Sequence, residues 1–295
     1  MSATSFTELA ANEPMHHRPP IRGSRLLKNV VLYLLLTIAA GAVVAPLLWM
    51  IVTSLRPADE VLKGKGGWIP SRLTISNYAD AFAAVPLARY FLNSLFVASI
   101  VVASNLFLCS LTGYALAKFE FRANRAVFLL ILSTMMIPAQ MMFIPLFLVV
   151  RSLGIVDSYL ALIIPAAMNP FGVFLMRQAM QGVPNDLIDS ARIDGARELA
   201  IFLRIAWPLT LPTQAALAIF TFLWSWNGFL WPLIVIRSPE LFTLPIGLTA
   251  FQDLHGTDYH LLLAGLTFSV APQLVLFLIF QRQFINGVTM AGLKG

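Results

Sequence analysis

The chain has 295 residues, of which 58% are hydrophobic and 12% are charged, and its formal net charge is +6. A soluble domain carries about 25% charged residues, so this composition cannot cover a soluble surface and indicates a membrane protein with several spans. The basic residues are scattered over the predicted loops, which argues against a nucleic-acid-binding face, and a single cysteine, Cys109, excludes an intrachain disulfide.

Six stretches are long and apolar enough to cross a bilayer, which takes about 20 mostly apolar residues per helix. The first follows a polar tail, residues 1–28, and is too long for a signal-peptide core, so we expect it to be retained. The sequence therefore predicts an all-α polytopic membrane protein with a membrane domain over residues 29–295. The predicted spans are Asn29–Thr53, Phe91–Ala117, Ala126–Val150, Val156–Met176, Leu209–Val235 and Leu261–Phe280.

The distribution of basic residues predicts the orientation of these spans. An even number of spans puts both termini on one side, and 13 of the 20 Lys and Arg residues lie in the tails and loops of that side. Because cytoplasmic loops carry the excess of Lys and Arg, we expect both termini to be cytoplasmic. The longer loops near Ser54–Arg89 and Arg237–His260 would then face outward.

Polar side chains and prolines interrupt spans three and four. Gln140 lies between Pro138 and Pro145, and Asn169-Pro170 is expected to break the fourth span. Polar groups within a membrane need partners and usually face the interior of the helix bundle. Structural hydrogen bonds are the favoured interpretation of both amides, and contacts to a transported molecule are the alternative.

The fifth span contains FLWSWNGFLWPL, in which Trp224, Asn227 and Trp231 are unusual at bilayer depth. Aromatic faces can stack on sugar rings and an amide can bond hydroxyl groups, so a substrate path is one interpretation. The other is helix packing, with Asn227 bonded to a neighbouring helix and Pro232 as a kink.

The predicted outer loop ends with Asp253, His255, Asp258 and His260. Their spacing suggests metal binding only weakly, and we expect no metal site. A solvated connector and a surface for a partner protein remain alternatives for this segment.

The loop between spans four and five, about residues 184–208, carries the most concentrated mixed charge in the second half of the chain. Asn185 is a candidate N-cap, and Gly195 is expected to end or bend the helix that follows. The small residues Ala191 and Ala196 would let another surface approach the backbone closely. With no nucleophile–base pair and no metal ligands, the loop is typical of a docking surface.

This loop resembles the EAA loop of the membrane subunits of bacterial ABC importers. Asp189-Ser190-Ala191, Asp194-Gly195-Ala196, Phe202 and Pro208 keep the spacing of that motif, with Asp189 and Ser190 standing where the family has Glu and Ala. The resemblance implies that Asp189, Ala191, Asp194, Gly195, Ala196 and Phe202 couple the chain to an ATPase.

Other segments resemble the carbohydrate, maltose-type (MalG-like) branch of the same family, among them SWNGFLWPLIV, FTLPIGLTAF and the ending GVTMAGLKG. The resemblance covers roughly Asn29 to Gly295. It implies a permease subunit in the bacterial inner membrane that forms half of a sugar path. The implied partners are a second permease, two ATPase subunits and an extracytoplasmic sugar-binding protein, which would contact Asp253, His255 and Asp258.

Two other classes fit less well. A secondary transporter would need ion-coupling carboxylates within the spans, and an intramembrane enzyme would need paired catalytic groups at membrane depth. The chain also has no phosphate-binding loop of the Gly-x-x-x-x-Gly-Lys-Ser/Thr type, so ATP and Mg²⁺ are expected to act in the partner ATPase and no cofactor in this chain. Nothing in the sequence names the sugar.

Overall fold

The computed structural model describes residues 22–62, 68–253 and 256–292, with the side chains of 22–26, 62, 253 and 281–292 left outside that description. The predicted tail, apart from its last seven residues, and His255 therefore lie outside the described residues. The chain separates into two compact units, Met1–Met50 and Ile51–Gly295.

Helix α1 (Arg22–Ser54) occupies the described part of the first unit and ends in the second. It begins seven residues before the predicted start of the span at Asn29. With 33 residues it is about 50 Å long, so it exceeds the thickness of a hydrocarbon core.

Two further helices are long and apolar enough to cross a membrane alone, α4 (Leu87–Lys118) and the first part of α15 (Tyr259–Gly292). Three bent helix pairs also qualify by length and composition, so the described chain has six candidate spans only if each pair is one span. The pairs are Asn124–Thr134 with Ala139–Ser152, Tyr159–Ala166 with Pro170–Gln181, and Glu198–Leu209 with Leu211–Trp226.

Two short helices precede α4 in the second unit, α2 (Ala58–Leu62) and α3 (Ser76–Ala84). The buried Asn77 amide in α3 donates to the carbonyl of Ser54, at 2.8 Å, and to that of Arg56, at 2.6 Å. These bonds satisfy carbonyls that the end of a helix leaves unpaired and hold α3 against the chain that follows α1.

Helix α4 lies at the centre of the second unit and packs against helices from most of the remaining chain. It makes its closest approach to α8 (Pro170–Gln181) at Gly113, where a Cβ atom would lie 2.7 Å from the backbone nitrogen of Arg177. A side chain at Gly113 would therefore force the two helices apart.

The expected breaks in spans three and four are present. Span three consists of α5 (Asn124–Thr134), a 3-10 turn at Ala139–Met142 and α6 (Phe143–Ser152), with a bend of 96°. Span four consists of α7 (Tyr159–Ala166) and α8, bent by 41°. Asn169 caps α8 by accepting from the Gly172 amide at 2.6 Å, and Pro170 suits the first helical position because its missing N–H needs no partner there.

The predicted fifth span, Leu209–Val235, is not one continuous helix. Helix α12 (Leu211–Trp226) ends before Asn227, and a separate helix, α13 (Leu230–Val235), follows. Gly228 and Pro232 both disfavour a continuous helix here, Gly through backbone freedom and Pro through its missing N–H and ring clash.

The segment after α13 folds back over the first turns of α4. It contains a 3-10 turn at Pro239–Leu241, helix α14 (Leu244–Gly247) and a second 3-10 turn at Leu248–Phe251. The Asn93 amide donates to the carbonyls of Glu240 and Phe242, both at 2.9 Å. Strands β1 (Gln252–Asp253) and β2 (Gly256–Thr257) then pair antiparallel before α15.

Candidate functional site

The loop between α8 and α12 consists of α9 (Asn185–Ile193), α10 (Glu198–Ile201), a π-helical turn at Phe202–Ala206 and α11 (Trp207–Leu209). We call residues Pro184–Pro208 the coupling loop, after the role that the sequence resemblance implies. Gly195 terminates α9 with a φ of 77°, a left-handed conformation that side chains other than Gly rarely adopt.

A Schellman turn closes the end of α9. The Gly195 amide donates to the carbonyl of Arg192 at 3.0 Å, and the Ala196 amide donates to that of Ala191 at 2.9 Å. The prediction that Gly195 ends the helix is confirmed. The direction in which the chain leaves α9 therefore depends on this one residue.

The prediction that Asn185 is the N-cap of α9 is wrong. Pro184 holds the cap position without a side-chain bond, and Asn185 is the first residue of the helix. Its side-chain oxygen instead accepts from the ammonium group of Lys118, 2.7 Å away at the end of α4. The same group donates to the Val183 carbonyl, so Lys118 ties the start of the coupling loop to α4.

A chain of polar contacts ties the second part of the coupling loop to α4. Glu198 accepts from Arg192 Nε at 2.6 Å and from the hydroxyl of buried Tyr114 at 2.9 Å. Arg192 also pairs with Asp189 at 2.9 Å. The hydrogen bond to Glu198 is the main reason that the pKa of Arg192 is raised further above its usual value. Asp189, Arg192 and Glu198 thus form one network across the Gly195 turn.

The six residues that the motif assigns to coupling occupy different depths in the loop. Asp189, Asp194, Gly195 and Ala196 are exposed, whereas Ala191 is half-buried against the chain's own core. Phe202 is completely buried beside Tyr114 and Trp207, so it supports the loop from within and cannot touch a partner directly.

The sequence interpretation missed the apolar residues of the coupling-loop surface. Ile193 is 87% exposed at the tip of α9, and Leu187, Leu199 and Leu203 are also exposed. Other apolar residues of the same helices, such as Ile188 and Ile201, are buried in the core. This amphipathic pattern is visible in the sequence and could have identified the exposed apolar residues. An open groove of about 490 Å³ beside the loop is lined by Lys118, Glu120, Asp189, Arg192 and Glu198, among others.

Three of the five predicted path residues use polar groups within the chain. Asn169 caps α8 and also donates to Asn105, and the indole N–H of Trp231 donates to the Ala161 carbonyl at 3.0 Å. Gln140, Trp224 and Asn227 are exposed. Asn227 donates to the Leu223 carbonyl at 2.8 Å and accepts from Gln273 Nε2 at 3.0 Å, and Gln273 was not a sequence candidate.

The predicted partner-contact residues lie around the β1–β2 turn. Asp253 is in β1, Asp258 is exposed just after β2, and its amide donates to the Phe251 carbonyl at 2.9 Å. His255 lies outside the described residues. Among the residues that the structure describes, no group of three or more His, Cys, Asp or Glu side chains could hold a metal ion.

Asp157 forms a clasp that the sequence interpretation also missed. Its carboxylate accepts from the amides of Arg237 and Ser238, both at 2.9 Å, and from the Ser238 hydroxyl. These donors lower the pKa of Asp157, and the Ser238 hydroxyl contributes most. The clasp joins the turn before α7 to the end of α13 across 81 positions in the sequence.

These features define a helical, polytopic membrane protein that presents a compact polar loop beside the end of its central helix. The sequence family described as the inner membrane component of binding-protein-dependent transport systems matches residues 109–289. The chain belongs to this family. It is therefore a multi-pass inner-membrane permease component and not itself the ATP-hydrolysing subunit, as the sequence predicted.

Named relatives cover most of the chain. It is 43% identical to the arabinooligosaccharides transport system permease protein AraQ of Halalkalibacterium halodurans, over 85% of this chain and 91% of the relative. The Bacillus subtilis protein of the same name is 41% identical, over 85% and 90%. The lactose transport system permease protein LacG of Rhizobium radiobacter is 31% identical, over 90% and 96%.

A solved structure supports the fold. A chain from the crystal structure of a bacterial ABC transporter involved in import of the acidic polysaccharide alginate aligns with a TM-score of 0.80. The alignment covers 90% of this chain and 99% of that chain, at 24% sequence identity. The predicted permease fold is therefore confirmed.

Proposed function

We propose that the chain is the permease subunit of an oligosaccharide importer and that its coupling loop transmits movement from a partner ATPase. The observation that carries this proposal is the coupling loop itself. It is anchored to α4 on both sides of Gly195, by Lys118 before the turn and by Glu198 after it. A loop fixed at both ends can pass a displacement to the helices that it joins.

The exposed surface of the coupling loop suits a protein partner. Ile193 offers a large apolar side chain at the tip, and Asp189 and Asp194 surround it with charge. An apolar centre within a polar rim is the usual anatomy of a protein interface. ATP and Mg²⁺ act in the partner, and this chain binds no cofactor.

The substrate class comes from the relatives. Proteins named for arabinooligosaccharides and lactose are 43% to 31% identical over at least 85% of this chain. We infer that this permease carries a neutral sugar of the same kind. No charged residue lies between Leu211 and Ile236, which supports an uncharged substrate over an acidic one.

The remaining partners complete a binding-protein-dependent importer. A second permease, two ATPase subunits and an extracytoplasmic sugar-binding protein assemble with this chain, and Asp253, His255 and Asp258 contact the binding protein. Asn227 and Trp224 line the path, and within the described residues Asn227 has a second amide N–H available there. Asn169 and Trp231 are structural, since Asn169 caps α8 and bonds Asn105, and Trp231 uses its one N–H within the chain. Gln140, exposed in the 3-10 turn of span three, faces the path as well.

Purification through a tag on this chain tests the assembly and the substrate together. The complex from the source membrane is expected to contain an ATPase and a second permease. In vesicles that also hold the binding protein, it should take up arabinotriose or lactose only when ATP is supplied. Uptake driven by an ion gradient without ATP would contradict the proposal and favour a secondary transporter.

The orientation is tested by labelling single cysteines in a Cys109→Ala background. We expect Asp194→Cys to react with a membrane-impermeant reagent only from the cytoplasmic side and Asp258→Cys only from the outside. Both positions are exposed, so a missing reaction cannot be attributed to burial in this chain. Labelling of position 194 from the outside would overturn both the orientation and the coupling role.

A further inference from the structure

The break at Asn227–Phe229 interrupts an apolar stretch between α12 and α13. A helix of 16 residues, about 24 Å long, precedes the break, and six mostly apolar residues follow it. Helix ends leave backbone groups without intrahelical partners. Such irregular backbone is tolerated at membrane depth only where it is buried in protein or lines a water-filled cavity.

The break is not buried within this chain, because Asn227 and Phe229 are both exposed. A surface against lipid is disfavoured by the irregular backbone and by the polar amide. The position therefore faces either a partner subunit or an aqueous path, and the side chains around it distinguish these two environments.

Two neutral amides meet at the break. Gln273, which follows Pro272 in α15, donates to Asn227 Oδ1 at 3.0 Å, and Asn227 donates to the Leu223 carbonyl. Among the described residues these are the bonds that the two amides make, so one N–H of each amide and the Gln273 carbonyl remain available. The pair can both donate to and accept from a ligand.

An exposed aromatic side chain precedes Asn227 in α12. The Trp224 side chain is 65% exposed and precedes Asn227 by three residues, a spacing that puts both on one side of a helix. By contrast, Trp226 is buried and donates its indole N–H to the Ser269 carbonyl at 3.1 Å. Trp226 thus holds α12 against α15, and Trp224 is left free for another contact.

We propose that Asn227, Gln273 and Trp224 form a binding subsite for a neutral oligosaccharide, with Gln273 and Asn227 bonding hydroxyl groups and Trp224 stacking on a sugar ring. The inference rests on the proposed function and assigns this subunit a direct contact with its substrate. A sugar presents alternating donors, acceptors and a weakly polar ring face, and the three side chains match each of these.

Water access is the first test. In a Cys109→Ala background, Gln273→Cys and Asn227→Cys should react with a small, positively charged thiol reagent in the assembled complex. Val275→Cys is the matched control, because it is exposed on the same helix but lies about 160° around the axis from position 273. Equal reaction at 273 and 275, or none at 273 and 227, would overturn the subsite.

Uptake is the second test. Gln273→Leu keeps a side chain of similar volume and removes its hydrogen bonds, which should lower arabinotriose uptake about three- to tenfold per complex. ATPase activity stimulated by the binding protein should change less than about twofold, since the coupling loop is untouched. Arabinotriose should also slow the labelling of Gln273→Cys.

The outcomes separate this inference from the proposed function. If the wild-type complex carries neither arabinotriose nor lactose, the proposed substrate fails, and an unreactive position 273 then overturns the subsite independently. If the wild type carries the sugar while Gln273→Leu transports it equally well and labelling is not slowed, the importer stands and the subsite is wrong.

Discussion

The chain interrupts its helices at Gly195 and at Asn227–Phe229, and the two breaks are stabilised by different chemistry. At Gly195 a positive φ closes a Schellman turn, and the ion pair of Arg192 with Glu198 bridges it. At Asn227 the chain uses uncharged amides, one from α12 and one from α15. Charged groups suit the break in the exposed polar loop, and neutral groups suit the one within an apolar stretch.

The comparison also separates the mechanical roles of the two breaks. The coupling loop is tied to α4 before and after Gly195, so its turn is a fixed corner between two anchored helices. The second break is also held on both sides, but to two different helices: Trp226 bonds α15 before it and Trp231 bonds α7 after it. We therefore expect substitutions at Gly195 to affect coupling and substitutions around Asn227 to affect transport or assembly.

The largest expected effect is that of Gly195→Val. Nothing lies within 4 Å of a Cβ atom placed on Gly195, so the substitution meets no steric obstacle in this chain. The cost is the backbone strain of a β-branched residue at positive φ, about 1–3 kcal/mol. This corresponds to at least a fivefold loss of uptake and of stimulated ATPase activity. Sugar uptake and stimulated ATPase activity should fall together in reconstituted vesicles, with insertion into the membrane unchanged.

Gly195→Asn is the matched control for this strain, since Asn adopts the left-handed conformation more readily than Val. It should retain more activity than Gly195→Val. Near-normal uptake and ATPase activity in both variants would show that the corner at Gly195 does not transmit the movement.

Trp231→Phe should have the next largest effect, and it should fall on assembly. The substitution keeps an aromatic ring beside Phe143 but leaves the carbonyl of buried Ala161 without its partner, which costs about 1–3 kcal/mol. The purified complex should melt at a lower temperature while uptake per complex is maintained. Trp224→Phe, at the exposed indole, should not change the melting temperature; an equal loss in both variants would contradict the structural role of Trp231.

Glu198→Gln should have a smaller effect, and it should fall on the coupling loop. It removes the ion pair with Arg192. The side chains of Arg192 and Glu198 are 35% and 39% exposed, so solvent screening limits the loss of stability to about 1 kcal/mol or less. Hydrogen exchange in α9 and α10 should become a few times faster at low salt. High salt should narrow the difference from the wild type, because it screens the wild-type ion pair.

Tyr114→Phe is the companion variant, since it removes the hydrogen bond that an uncharged hydroxyl donates to the same carboxylate. Its effect on hydrogen exchange should not depend on salt. A salt-independent effect of Glu198→Gln would mean that the geometry of the hydrogen bond, and not the charge, holds the coupling loop to α4.

The sequence predicted one break well and the other only in part, for a physical reason. Gly195 is visible because a left-handed turn requires a local residue type, and the charges around it lie within ten positions of one another. The partner of Asn227 lies 46 positions away, and the Asp157 clasp joins residues 81 apart. A single Gln in an apolar helix carries no local pattern, so only the packing of α15 on α12 reveals its role.

The burial of Phe202 follows the same logic. Its spacing in the motif is a local property, and the resemblance placed it among the coupling residues without distinguishing support from contact. The structure buries it against Tyr114, whose position depends on how α4 passes the coupling loop. Helix types and the loop could thus be predicted from local signals, while the depth of each residue could not.

Asp194→Ala should have the smallest effect. This variant separates the role of the Gly195 turn from that of the neighbouring Asp194 charge. Asp194 is the C-cap of α9, and its backbone amide donates to the Ser190 carbonyl, a bond that Ala retains. Its exposed side chain makes no hydrogen bond or ion pair within the described residues, unlike that of neighbouring Asp189. Surface substitutions of this kind change stability little, so uptake and stimulated ATPase activity should stay within about twofold of the wild type. A larger loss with normal hydrogen exchange in α9 would show that Asp194 itself contacts the ATPase, and the interface would then be defined by charge as well as by the direction of the turn.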